Sequence, residues 1–167
     1  MMTDNLSASA QRVQQALAAF NLDYQVMELS ASTRTAKEAA TAVGCKVGQI
    51  VKSLVFKTDH TLVPVLVIAS GVNRVDVKIL GELLGKKVDK ADAEFVRQKT
   101  GFAIGGVPPV GFSTPIKTFI DEDLLHYDFV WAAAGTPHAV FRLVPADLEK
   151  MTGGKVAAIK SQTRNPH

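Results

Sequence analysis

The 167-residue sequence predicts an α+β domain: a mixed, partly closed sheet with helices around it. Three observations lead there. Apolar spacing switches from helical to alternating and back several times along the chain. Helices and strands do not follow strict βαβ order, and the strand-like segments outnumber what one parallel sheet would use. With 47% hydrophobic and 21% charged residues, the composition is globular, and a chain of this size buries a core without a metal or disulfide staple. Residues 1–167 read as one domain, with no internal repeat and no domain-separating linker.

The elements follow from local signals. From Ser7 to Asn21, Val13, Ala16, Leu17 and Phe20 recur at helical spacing. Thr35-Ala36-Lys37-Glu38 is a capping box, in which the threonine hydroxyl and the glutamate side chain each take a backbone N–H, and Gly44 ends that second helix. The period then changes: Ile50 to Phe56 and Leu62 to Ala69 are strands of a hairpin turning at Asp59-His60. Asp76 caps a third helix, Val77 to Leu84, stopped by Gly85. A fourth opens at Asp89 or Asp92 and runs to about Lys99 before Gly101. Phe102 to Ile104 and Ile116 to Ile120 are expected as short strands flanking a Gly/Pro loop. Phe129 to Ala134 and Ala139 to Val144 form a second hairpin across Gly135-Thr136-Pro137-His138. Ala146 to Met151 is a small helix and Val156 to Ile159 a last strand, and the tail from about Ser161 is expected to fray.

Several functional classes are excluded. A net charge of +3 is too small for a duplex-DNA binder, which carries a dense basic face. The densest cluster, Lys86, Lys87, Lys90, Arg97 and Lys99, is interleaved with Asp89, Asp92 and Glu94 and reads as a solvated surface able to grip a few phosphates of a single-stranded end. The longest uncharged run, Gly101 to Ile116, contains three prolines and four glycines, so no membrane span is expected. The first residues lack the basic and apolar regions of a secretory signal, and the single Cys45 makes neither a disulfide nor a thiolate cluster. The expected location is cytoplasmic. Four scattered histidines suggest no metal site, and no nucleophile elbow, phosphate loop, His-Glu-x-x-His or Cys-x-x-Cys motif occurs.

Two features carry chemistry. Lys52 lies within the apolar run Ile50-Val51-Lys52-Ser53-Leu54-Val55-Phe56, and an ammonium there needs a partner or a cavity. Alternation puts Lys52, Leu54 and Phe56 on one face and Val51, Ser53 and Val55 on the other; the bland alternative is a lysine snorkelling at a strand entry. The second feature is Gly101-Phe102-Ala103-Ile104-Gly105-Gly106-Val107-Pro108-Pro109-Val110-Gly111. Adjacent Gly105 and Gly106 allow close approach to the main chain, whose N–H groups suit an oxyanion; the alternative is a structural turn. His138, beside Thr136, adds a titratable group at a turn tip. Cys45 reads as a small buried apolar residue and Trp131 as core.

Together these segments resemble the YbaK/EbsC family. The residues that carry the resemblance are Thr35 to Ala40, Ile50 to Phe56, the Asn73-Arg74-Val75-Asp76 turn, Gly101 to Gly111 and Ala134 to His138, in that order. It covers the chain from about Ser7 to Ile159. The family comprises free-standing relatives of the editing domain of bacterial prolyl-tRNA synthetases, including the ProX-like deacylases. The resemblance implies a curved, barrel-like sheet and hydrolysis, in trans, of the ester of a mischarged tRNA. The substrate implied is a tRNA for proline carrying alanine, 2-aminobutyrate or cysteine. It places the family's essential lysine on Lys52 and its glycine loop on Gly105 and Gly106, with Pro109 and Gly111 behind them. It implies no metal and no cofactor, and as partners the aminoacyl end of the tRNA and prolyl-tRNA synthetase.

An activated ester needs positioning and charge stabilisation more than a strong nucleophile. Lys52 would act as the cation, directed towards the glycine loop, with Gly105 or Gly106 N–H groups holding the oxyanion. The expected substrate-binding walls are Val51, Leu54, Ile104, Val107, Pro109, Gly111, Thr136 and His138. Ala133 occupies a place where some members carry serine, which favours alanine or 2-aminobutyrate over cysteine. The other reading is a module that binds the aminoacylated end, or a synthetase, without hydrolysis. On the oxyanion reading, Gly106→Val would cost activity more than stability.

Overall fold

A computed structural model describes residues 6–161. Helix α1 (Ala8–Ala19) starts at Ser7, whose hydroxyl accepts the Ala10 N–H, and buries Ala10, Val13 and Leu17 on the stripe that the sequence spacing requires. Phe20 falls at its C-cap and is exposed. Helix α2 (Ala36–Val43) has the full Thr35–Glu38 capping box and ends at Gly44 in the left-handed region. Helix α3 (Val77–Leu84) is capped by Asp76, which accepts from Lys78 and Ile79. Helix α4 (Ala93–Thr100) is capped by Asp92, and α5 spans Asp147–Thr152.

The strands are β1 (Met27–Glu28), β2 (Val51–Thr58), β3 (Pro64–Ser70), β4 (Val88–Lys90), β5 (Lys117–Asp121), β6 (Val130–Ala133), β7 (Ala139–Leu143) and β8 (Lys155–Ala157). A five-stranded mixed sheet has the order β4-β2-β3-β5-β8, parallel at β3–β5 and β5–β8, and a three-stranded antiparallel sheet has the order β1-β7-β6. Among the described residues the two sheets join at a single parallel bridge, Ile50 with Trp131, so the curved sheet does not close into a barrel.

The period-2 rule places the core. Val51 and Val55 of β2 face the main core with Leu66, Ile68, Leu17 and Phe141, whereas Leu54 and Phe56 face a second cluster with Val65, Val67, Phe119 and Leu80 of α3. The alternation expected for β2 is the one observed.

Three expectations change. Phe102 to Ile104 is not a strand: the Phe102 N–H bonds Thr100 Oγ1, and the ring is buried beneath the Arg12 guanidinium and against Phe112. Asp89 opens no helix, because it lies in β4 opposite Lys57; β4 and β1 are too short to leave an alternating pattern. Ser161 is held rather than frayed, donating its N–H to Arg74 O at 2.7 Å; the rest of the expected tail lies outside the described residues.

The capping box fixes the start of the helix that carries Ala36, Ala39 and Val43 to the cavity described below. Thr35→Ala should lower the unfolding free energy by about 1 kcal/mol. Urea titration, with an unchanged slope, is the measurement that checks it.

Candidate active site

Strand β2 parts from β6 just beyond the Ile50–Trp131 bridge, and no strand pairs with its outer side again until Phe56 meets Lys90 of β4. A cavity of about 570 Å³ occupies this gap, a volume usual for small-ligand sites. Its floor is β2 from Ile50 to Phe56, and one wall is Trp131, Ala132 and Ala133 of β6. Thr33 to Ala36 with α2 form a second wall, and Ile104, Gly105 and Val107 a third. The lining is mainly apolar, yet among the described residues it carries four cations, Arg34, Lys52, Arg74 and Lys90, and no aspartate or glutamate.

Lys52 lines this cavity, but its ammonium is not held by the glycine loop. It donates to the carbonyl of Asn73, in the turn after β3. That turn is fixed from below: Asn73 Nδ2 donates to Asp121 Oδ2 and to Asp123 Oδ2, each at 2.8 Å. Asp121 is fully buried and also accepts the N–H groups of Ser70 and Asp123, both at 3.0 Å. Lys160 closes the cluster with a 3.0 Å ion pair to Asp123. The Asn73 and Lys160 hydrogen bonds hold the Asp123 carboxyl below the usual aspartate range. Burial pushes the Lys52 ammonium below the usual lysine range, and repulsion by Arg74 pushes it the same way, against the pull of Asp121. Two cations therefore share one end of the cavity, and the only salt bridges among the described residues, His60–Asp59 and Lys160–Asp123, involve neither of them.

The two glycines have different situations. Gly105 lines the cavity with φ +91°, against the aliphatic part of Arg34. Gly106 is buried; its N–H bonds Ala103 O at 3.0 Å and its carbonyl accepts from Gly135 N–H at 2.8 Å. A Cβ on Gly106 would stand 2.8 Å from the Thr136 backbone. The oxyanion-donor reading therefore does not suit Gly106, whose N–H is engaged within the loop.

Val51, Leu54, Ile104 and Val107 line the cavity as expected from the sequence. Pro109, Gly111, Thr136 and His138 are not part of the lining. Gly111 lies behind the loop, near Phe102 and Ala16, and Pro109 is buried. The Thr136–His138 turn instead braces a wall: Pro137 O accepts from the N–H and hydroxyl of Thr33, and His138 O accepts from Leu29 N–H. His138 Nδ1 is 3.3 Å from Ala31 O. Sequence reasoning missed Arg34, Arg74 and Lys90. Arg34 adjoins the capping box at Thr35 and Arg74 lies within the Asn73–Asp76 turn, neither of them assigned to the site, whereas Lys90 was read as solvated surface.

Residues 30–151 match the family described as "Aminoacyl-tRNA editing domain". The chain belongs to this family. The editing domain is similar to a crystal structure described as "a putative trans-editing enzyme for prolyl tRNA synthetase", with 53% identity, a TM-score of 0.89, and coverage of 94% of this chain and 99% of the other. It is 29% identical to "Uncharacterized protein YwhH" of Bacillus subtilis over 137 residues, 82% of this chain and 87% of the relative. It is 28% identical to "Putative Cys-tRNA(Pro)/Cys-tRNA(Cys) deacylase EbsC" of Enterococcus faecalis over 129 residues, 77% of this chain and 78% of the relative. These likenesses agree with the YbaK/EbsC resemblance seen in the motifs.

For the editing domain, the packing of Gly106 against the Thr136 backbone reverses the sequence expectation for Gly106→Val. The substitution should destabilise the fold by about 1–3 kcal/mol, as overpacked sites do. A thermal melt matching that of the unaltered protein would contradict this role.

Proposed function

We propose that this editing domain is a trans-acting deacylase that hydrolyses the ester linking a wrong amino acid to the 3′ end of a tRNA for proline. The observation that carries the reading is the cavity lining, with four cations, no carboxylate and small apolar walls around Lys52. Such a lining suits a ligand that brings its own negative charge at one end and a small apolar group at the other. A terminal nucleotide esterified with a small amino acid has that form. The relatives named above support the same direction.

In this reading Lys52, anchored by Asn73 O, and the adjacent Arg74 meet the terminal phosphate or the developing oxyanion. Gly105 takes the main-chain donor role first considered for both glycines, because the Gly106 N–H is already bonded. Water attacks the ester carbon, and the ribose oxygen leaves with a proton; the free amino acid and intact tRNA are the products. Alanine, 2-aminobutyrate and cysteine are the proposed cargoes, with the two non-thiol residues favoured by Ala133 on the wall. Proline is discriminated against by its ring, since a pocket of fixed volume rejects a bulkier or constrained side chain more effectively than it rejects a smaller one.

Incubation with a panel of tRNAs charged with alanine, 2-aminobutyrate, cysteine, serine and proline tests the reading. Cleavage of one of the first three, sparing of prolyl-tRNA and loss of cleavage in Lys52→Ala are expected. Survival of every ester would reject the deacylase and leave a binding module. The pH profile is a further check. Because the Lys52 ammonium is held below the usual lysine range, the enzymatic rate should fall on the alkaline side before an ordinary lysine would deprotonate. Asp121→Asn removes the one charge that stabilises this ammonium, so the alkaline limb should move to lower pH.

A further inference from the structure

Three hydroxyl residues line the cavity: Thr33, Thr35 and Ser53. Thr33 Oγ1 donates to Pro137 O at 2.6 Å, and Thr35 Oγ1 accepts the Glu38 N–H at 3.1 Å as the cap of α2. Ser53 Oγ is out of contact with solvent and has no hydrogen-bond partner among the described residues. A buried hydroxyl in that condition costs free energy and calls for an explanation. Its residue is only half-buried and sits on the open stretch of β2, and rotation about χ1 changes the direction of Oγ without moving the strand.

The main chain at Ser53 is in a related state. Ile50 O accepts from Gly71 N–H on the β3 side, while Val55 O accepts from Ala91 N–H on the β4 side. By alternation Ser53 shares the side of Val55 and turns its carbonyl to the gap, where neither the Ile50–Trp131 bridge nor the β4 pairing reaches. A carbonyl and an uncommitted hydroxyl therefore belong to the same residue beside the cavity. Elsewhere the lining is rich in donors, from Arg34, Lys52, Arg74 and Lys90, and carries no carboxylate.

We propose that Ser53 is the recognition residue for the α-amino group of the esterified amino acid, accepting its N–H bonds through Oγ and the strand carbonyl. This rests on the editing reading above. The phosphate and ester oxygens of such a ligand are acceptors and are matched by the cations. Its α-amine is a donor, and Ser53 supplies an uncommitted hydroxyl and a strand carbonyl as acceptors in a lining that carries no carboxylate. Among four cations the amine binds in its uncharged form, because an added positive charge would be repelled. Ser53 thereby reads the amino group as the small walls read the side chain.

The test uses the full chain and a tRNA acceptor-stem minihelix ending in 3′-amino-3′-deoxyadenosine, acylated through a stable amide with either alanyl or propionyl. Neither can be hydrolysed, and they differ only in the α-amine. Ser53→Ala should weaken binding of the alanyl minihelix by about 3- to 10-fold, the range for one net hydrogen bond, and leave the propionyl minihelix within twofold. The variant's melting temperature should equal or exceed that of the unaltered protein, since the hydroxyl bonds nothing in the fold. Equal losses on both ligands, no loss on the alanyl one, absence of binding by the unaltered protein, or a lowered melting temperature would each overturn the assignment. The amide ligands report recognition without turnover. A protein that binds them with the expected difference but cleaves no ester would thus refute the deacylase and retain the Ser53 role, while an active deacylase indifferent to Ser53→Ala would do the reverse.

Discussion

A carboxylate that is fully buried leaves its oxygens unsatisfied unless hydrogen-bond donors surround it. Asp121 is such a group, and the donors around it organise the site. It takes the N–H of Ser70 at the end of β3, the amide of Asn73 in the following turn and the N–H of Asp123 beyond β5. The ends of two parallel neighbours and the turn between β3 and α3 are thus tied to one point. Lys52 then bonds the carbonyl of Asn73 and receives its position from a carboxylate it does not touch. Contact with a carbonyl instead of an acid leaves the ammonium without a direct ion-pair partner at the end of the cavity.

The cavity itself results from a failure of sheet closure. Had β6 followed β2 beyond Trp131, the two sheets would have merged and a ladder would fill the space. Divergence leaves a wedge whose apex is the Ile50–Trp131 bridge and whose open end is covered by the glycine loop and the segment before α2. Small side chains at Ala36, Ala39, Ala132 and Ala133 keep that wedge hollow. The interior on either side is closely packed: Leu66, Ile68 and Phe141 are fully buried in one cluster, and Val67, Ala69 and Leu80 in the other.

Much of this was legible in the residues. Thr35 and Glu38, Asp76 and Gly85, and the alternation from Val51 to Phe56 are local signals, and each produced its element. Lys52 stood out because a charge within an apolar strand demands an environment. The strand expected at Phe102 failed because its residues satisfy themselves through Thr100 and Arg12, which no pattern announces. The distinction between Gly105 and Gly106 was also hidden, since it depends on which one meets the backbone of Thr136, more than two dozen positions further on. Asp121 lies just past the strand expected from Ile116 to Ile120, and only the fold shows that Asn73 and Ser70 converge on it.

The late hairpin turn touches the cavity only indirectly, and three of its attachments are purely main-chain: Pro137 and His138 offer carbonyls to the N–H groups of Thr33 and Leu29, and Gly135 donates to the carbonyl of Gly106. Bonds of this kind do not depend on what side chains the joined residues carry. The side chains of Ala133 and Val140 on the cavity wall take no part in the main-chain bonds that hold this turn in place. A scaffold sewn through its backbone can change its upholstery without changing its outline, so the chemistry of the cavity wall and the shape of the cavity are set by separate parts of the chain.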